Sequence, residues 1–160
     1  MNNNITEDYV SFEVAKLFKE KGFKQSTLCY YFEDGEFNKY KIVDAYGYKG
    51  DEYTVEYEDL LNNWNDNFLT KKNGDRCFGC NKSKGYFETY SSPTHSLAIK
   101  WIRENFGIWI YNEIASMNSF RPKAYELEGD KFGIWEGFKY ASPQEATEAA
   151  LLHTLKNLIP

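Results

Sequence analysis

Residues 92–114 read SPTHSLAIKWIRENFGIWIYNEI, and the periodicity of apolar residues changes once within this stretch. Apolar residues first recur three and four positions apart, as on one face of a helix. After Gly107 they alternate with other residues, as in a strand with one buried face. We therefore predict a helix that ends at Gly107 and a strand over residues 108–114.

Serine residues mark where this helix and two others are expected to begin, because a serine hydroxyl can accept a hydrogen bond from a free N–H group of the first turn. The expected capping residues are Ser11, Ser92 and Ser142, and an alternative start for the first helix lies nearer Thr6. Pro93 suits the first helical position, Glu145 completes a capping box, and Gly22 ends the first helix. The buried side of the last helix is expected to hold Ala146, Ala149, Leu152, Leu155 and Ile159.

Strands are expected between the helices. They are predicted at 27–32, 39–46, 52–57, 108–114, 121–127 and 132–138, with hairpin turns at 33–36 and 129–130 and a short helix at 58–64. The order helix, strands, helix, strands, helix predicts an α+β fold: an antiparallel β-sheet with three helices packed mainly on one face. We expect a single domain over residues 1–160, with an irregular, exposed loop around 62–85.

Charge and composition exclude several classes of protein. The net charge is −5 and only three of the 19 basic residues are arginines, so nucleic acid is a disfavoured partner and dedicated phosphate recognition has little support. No apolar run approaches the roughly 20 residues that a bilayer requires. The first residues lack the basic and apolar segments of a signal peptide, which predicts a cytoplasmic protein without membrane contact.

The most specific local motif is Cys77-Phe78-Gly79-Cys80, a C-x-x-C turn that can hold two thiolates on one zinc ion. Tetrahedral zinc needs two more ligands, and Cys29 and His95 are the candidates. The predicted zinc ligands are therefore Cys29, Cys77, Cys80 and His95. Two alternatives stay open: a redox-active cysteine pair, and two reduced loop cysteines without a ligand.

Aromatic and basic residues on three predicted strands form the second candidate site. If Ile108 and Ile110 pack under the helices, alternation places their neighbours on the opposite face of the sheet. The residues predicted there are Trp109, Tyr111, Arg121, Lys123, Tyr125 and Trp135. Rings beside cations suit stacking on a planar anionic ligand or a hot spot for a protein partner. The alternative is that residues 46–90 cover this face and form a second core with it.

Three segments resemble small uncharacterised proteins of gut anaerobic bacteria and their phages. They are Tyr90–Glu104, with its Ser-Pro-Thr opening and Lys-Trp-Ile-Arg-Glu continuation, Ile5–Leu17, and the closing helix rich in Glu and Ala. The segment Cys77–Cys80 does not belong to that pattern. The resemblance implies an accessory protein of a phage or mobile element, and it brings no activity that could be transferred to particular residues.

These observations predict a non-enzymatic binding protein that captures a host protein or a small anionic, nucleotide-like ligand. A zinc-stabilised adaptor is one alternative, and a homo-oligomer stays open. An enzyme is another alternative. Its type is not indicated, because the sequence contains no P-loop, G-x-G-x-x-G, H-E-x-x-H or G-x-S-x-G motif. A deep polar pocket lined by His95 or by acids with shifted pKa values would favour the enzyme.

Overall fold

The computed structural model describes residues 8–39, 68–69, 76–77, 87–126 and 135–160. These ranges contain three α-helices and two antiparallel sheets, which confirms the predicted α+β class. The helices are α1 (Phe12–Glu20), α2 (His95–Phe106) and α3 (Pro143–His153), and π-helical turns at Thr154–Leu158 continue α3. The strands are β1 (Cys29–Phe32), β2 (Phe37–Lys39), β3 (Phe68–Leu69), β4 (Arg76–Cys77), β5 (Phe87–Ser92), β6 (Ile108–Ser116), β7 (Ser119–Glu126) and β8 (Trp135–Glu136). None of the described helices is long and apolar enough to cross a membrane.

The first and last helices begin as the sequence predicts. Ser11 Oγ accepts a hydrogen bond from the Val14 N–H at 3.4 Å, and Ser142 Oγ accepts one from the Glu145 N–H at 3.1 Å. Gly22 follows α1 with a φ of 82°, a left-handed conformation that glycine adopts without strain. Local hydroxyl capping and a terminal glycine therefore set the bounds of α1.

The start of α2 differs from the prediction. Thr94, not Ser92, is the N-cap, and its Oγ1 accepts a hydrogen bond from the Leu97 N–H at 3.2 Å. Ser92 is instead the last residue of β5, where it is buried opposite Cys29 of β1. Pro93 therefore precedes the helix. Pairing with β1 holds the backbone of Ser92 extended, and the threonine two residues later supplies the same capping chemistry.

The larger sheet has the order β2–β1–β5–β3–β4, with antiparallel pairing throughout. The predicted hairpin at residues 33–36 joins β1 to β2, and the Phe32 N–H donates to the Glu36 carbonyl at 3.0 Å. Strand β5 is a finding that the sequence did not predict. Its six residues lie between the Asn- and Lys-rich stretch and the start of α2. Their pairing with β1 could not be recognised from this sequence context.

Strands β3 and β4 have two residues each and fall inside 62–85, the stretch expected to be an irregular loop. The remaining residues of the predicted strand 39–46 lie outside the described part of the chain. The predicted strand 52–57, the predicted helix 58–64 and the turn at 129–130 also lie outside it.

The smaller sheet has the order β6–β7–β8, and one of its faces packs on the helices. Ile110 lies opposite Ala124 across the β6–β7 pair, and both are buried together with Ile108. They belong to one apolar cluster with Ile102 of α2 and Leu151 of α3. The prediction that Ile108 and Ile110 pack under the helices is confirmed. This face is called the inner face below, and the opposite one the outer face.

Three buried rings connect the end of α1 to α2. Phe18, Phe23 and Trp101 pack edge to face with one another, with centroid distances of 5.2 to 5.4 Å. Each such pair contributes about 0.5–1.5 kcal/mol beyond the burial of its surface. The three rings therefore fix the turn after α1 against α2.

Residues near both ends of the described chain contact each other. Lys156 Nζ lies 2.6 Å from Glu13 Oε1, and Lys21 Nζ donates to the Ile159 carbonyl at 2.9 Å. The first contact is exposed and contributes little by itself. Their main effect is to hold the residues after α3 alongside α1.

Gly107 ends α2 as predicted, with a φ of 67° and no heavy atom within 4 Å of the position that a Cβ would take. We expect Gly107→Ala to lower the free energy of unfolding by about 1–2 kcal/mol, because an L side chain is strained in this conformation. Gly107→Asn is the matched control and should cost less, because asparagine tolerates left-handed backbone. Urea denaturation measures both, and equal losses for the two variants would contradict this explanation.

Candidate functional site

Five of the six residues predicted to share an exposed sheet face do lie together on the outer face. The β6–β7 register places Trp109 opposite Tyr125, Tyr111 opposite Lys123, and Glu113 opposite Arg121. The side chains of successive residues alternate between the two faces of a sheet. The side chains of these three pairs therefore lie on the face away from Ile110 and Ala124. Trp109 is 42% exposed and Tyr111 is 47% exposed, which shows that the two rings reach the surface.

The aromatic part of the outer face is ordered by ring contacts. Tyr111 and Tyr125 stack with a centroid distance of 5.3 Å and an interplanar angle of 17°. A hydrogen bond with Tyr125 raises the pKa of Tyr111 above its ordinary value. The guanidinium of Arg103, which belongs to α2, lies 4.8 Å from the centre of the Trp109 ring. Trp109 and Tyr125 are cross-strand partners, so the three rings lie side by side on this face.

The charged part of the outer face is an ion-pair network. Lys123 Nζ lies 2.9 Å from Glu113 Oε2 and 3.7 Å from Glu136 Oε2, and Arg121 lies 2.6 Å from Glu136 Oε1. The hydrogen bond with Lys123 lowers the pKa of Glu113, and the same bond raises the pKa of Lys123. Both cations therefore already have carboxylate partners. An anionic ligand would have to compete with Glu113 and Glu136 for them.

The predicted position of Trp135 on the outer face is wrong. Trp135 lies opposite Ala124, which places it on the inner face, where its ring stacks on His153 of α3 at 4.3 Å and 12°. Burial lowers the pKa of His153, so a neutral imidazole meets the indole. Glu136 takes the outer position instead. A shift of one residue reverses the faces of a strand, and β8 has too few residues for its own sequence pattern to set the register.

The structure separates two of the predicted zinc ligands. Cys29 is buried in β1, whereas the backbone of Cys77 lies in β4, and β5 and β3 stand between these strands. At about 4.8 Å per strand, three strand steps correspond to roughly 14 Å. Cys80 lies outside the described residues, and His95 bonds to Glu148. The described residues contain no group of three or more potential metal ligands, and a zinc site at Cys77 and Cys80 stays a prediction.

A second candidate site is a groove of about 760 Å³ between α1, α3 and the start of α2. Its lining residues are Tyr9, Ser11, Glu13, Val14, His95, Tyr140, Gln144, Glu145, Glu148, Ala149 and Leu152. Glu148 of α3 is central, because its Oε1 accepts the Ser11 N–H at 2.8 Å and its Oε2 lies 2.9 Å from His95 Nε2. One carboxylate thus bridges the first residues of two other helices.

The environment of Glu148 keeps this carboxyl ionised. Burial raises its pKa, but the hydrogen bonds with His95 and with Ser11 outweigh burial and hold the pKa below the ordinary value. The side chains of His95 and Glu148 are 15% and 27% exposed, so both are largely shielded from solvent. The sequence named His95 but not Glu148. Since 53 residues separate them, no local spacing could have indicated the pair.

No family model, curated protein or solved structure matches this chain.

Glu148→Gln should lower the free energy of unfolding by about 2 kcal/mol at neutral pH, because the charge-assisted bonds to Ser11 and His95 are lost. Glu145→Gln is the matched control on the same helix and should have a smaller effect. Because folding lowers the pKa of Glu148, its contribution is complete above the unfolded pKa of ~4.3 and is lost as the pH falls through the folded pKa. Chemical denaturation at a series of pH values should therefore show the wild-type advantage disappearing in acid. An advantage of equal size at every pH would contradict this assignment.

Proposed function

We propose that this chain is a binding protein whose outer face docks a partner protein. The observation that supports this most directly is the pair of surface rings, Trp109 and Tyr111, on a strand whose opposite face is buried in the core. Large aromatic side chains on rigid backbone lose little conformational freedom on binding and are enriched among hot spots. If the resemblance to phage-associated proteins holds, the chain is an accessory factor and its partner is a host protein.

The arrangement of charges favours a protein partner over a small anion. Lys123 and Arg121 are each paired with a carboxylate, so the charged end of the face is close to neutral overall. An apolar centre beside a polar, internally paired rim is typical of protein interfaces. An anion-binding site would instead need cations without nearby carboxylates. The nucleotide-like ligand is therefore the second candidate, supported by the stacking surface of Tyr111 and Tyr125 alone.

The test compares the wild-type chain with Trp109→Ala/Tyr111→Ala as baits in an extract of the organism that encodes the protein. A partner identified by mass spectrometry is then purified, and its Kd is measured for both forms by calorimetry. We expect the double substitution to weaken binding by about 100-fold or more, because two hot-spot rings are removed. Met117→Ala is the control, because Met117 is 97% exposed at the β6–β7 turn and lies outside the outer face.

Two results would contradict docking on the outer face. One is a partner that binds the double variant as tightly as the wild type. The other is tight binding of ATP that is lost in Arg121→Gln and Lys123→Gln, which would support the anionic ligand instead. Native mass spectrometry of the freshly purified chain supplements the partner-binding and ATP-binding measurements. It detects a retained metal, ligand or subunit by its mass.

A further inference from the structure

The groove contains a histidine that a carboxylate orients, with one ring nitrogen left open. Glu148 binds Nε2 of His95, and Nδ1 has no hydrogen-bond partner among the described residues. The His95 side chain is 15% exposed, and Nδ1 keeps some contact with solvent. With the proton on Nε2 directed at Glu148, Nδ1 carries the lone pair. A base oriented by a third group in this way is the arrangement that general-base catalysis requires.

The lining of the groove selects the substrate by charge. Besides Glu148 it includes the carboxylate of Glu145 and that of Glu13, which is paired with Lys156. No lysine or arginine lines the groove itself among the described residues. Phosphates and carboxylates would be repelled. Apolar contacts are available from Leu152 and from the rings of Tyr9 and Tyr140, which suit a short hydrocarbon chain. The groove therefore fits an uncharged molecule with an apolar part.

We infer that the groove is a hydrolytic site in which His95 acts as the general base on an uncharged carboxylic ester. Nδ1 takes a proton from a water molecule as the water oxygen forms a bond to the ester carbonyl carbon. The π bond of the carbonyl breaks in the same step, and its electron pair moves to the carbonyl oxygen. The tetrahedral intermediate then breaks its bond to the alkoxy oxygen, which receives the proton from Nδ1. The products are a carboxylic acid and an alcohol, and His95 is regenerated without any change in oxidation state. Glu148 is the positioning residue, because it acts through His95.

Water, and not a side chain, is the nucleophile in this scheme. The hydroxyl of Ser11 is engaged as the N-cap of α1 and accepts the Val14 N–H. Its backbone N–H is bound to Glu148, which fixes the residue further. No covalent acyl intermediate is therefore expected, and product release should show no initial burst.

The experiment measures hydrolysis of p-nitrophenyl butyrate by the full chain. We expect a rate above the buffer reaction, and a kcat/KM about 100-fold lower in His95→Asn, since a positioned base contributes at least this factor. His153→Asn is the matched control, because His153 is the other histidine of the sequence and stacks on Trp135 outside the groove. Glu148→Gln should lower kcat while changing KM little. Unfolding of part of the sample would also lower the apparent kcat, because it reduces the fraction of active protein.

Active fractions are therefore set by circular dichroism and thermal melting of each variant. Ala149→Phe provides a second route, because it fills the groove without removing His95 or Glu148, and it should raise KM or abolish turnover. The inference is overturned if the wild type hydrolyses the ester no faster than folded His95→Asn. It is equally overturned if Ala149→Phe retains full activity, or if His153→Asn loses as much as His95→Asn.

Discussion

The register between β6 and β7 determines which side chains of the smaller sheet are buried and which are exposed. Ile110 opposite Ala124 is the register that buries small and branched side chains under α2 and α3. The same register leaves Trp109 and Tyr111 on the outer face. A slip of one residue would place two aromatic rings in a core sized for Ile and Ala, so core packing and the outer face are fixed by a single choice.

The groove depends on different contacts from the outer face. It exists because α1, α2 and α3 converge, and Glu148 satisfies the Ser11 N–H while holding His95. An ionised carboxylate beside the starts of two helices is also favoured by their dipoles. The two candidate sites thus use different side chains on one shared core. Substitutions at one can be made without direct contact with the other, which allows a binding role and a chemical role to be examined independently.

Local signals in the sequence were sufficient for much of this fold. Ser11 and Ser142 as caps, Gly107 as a helix end, and the alternation of Ile108 and Ile110 each depend on a few neighbouring residues. They also placed five of the six residues of the outer face. These features follow from capping geometry and strand periodicity, which a single sequence contains.

The features that were missed depend on pairing between distant residues. Ser92 belongs to a strand because Cys29 lies opposite it, and Trp135 faces inward because Ala124 does. The His95–Glu148 pair likewise joins two helices across 53 residues of sequence, a distance that no local pattern spans. The zinc prediction assumed that Cys29 passes near the C-x-x-C segment, but the strand order separates Cys29 from Cys77.

The contacts between α1 and the residues after α3 have a consequence for synthesis of the chain. The Ser11 N–H bonds to Glu148, which follows it by 137 residues. Lys21 bonds to the carbonyl of Ile159, which follows it by 138 residues. During translation at ~5–20 residues per second, α1 leaves the ribosome many seconds before its partners do. Its buried residues Val14 and Phe18 are exposed for that interval. The core therefore closes only after α3 has emerged from the ribosome.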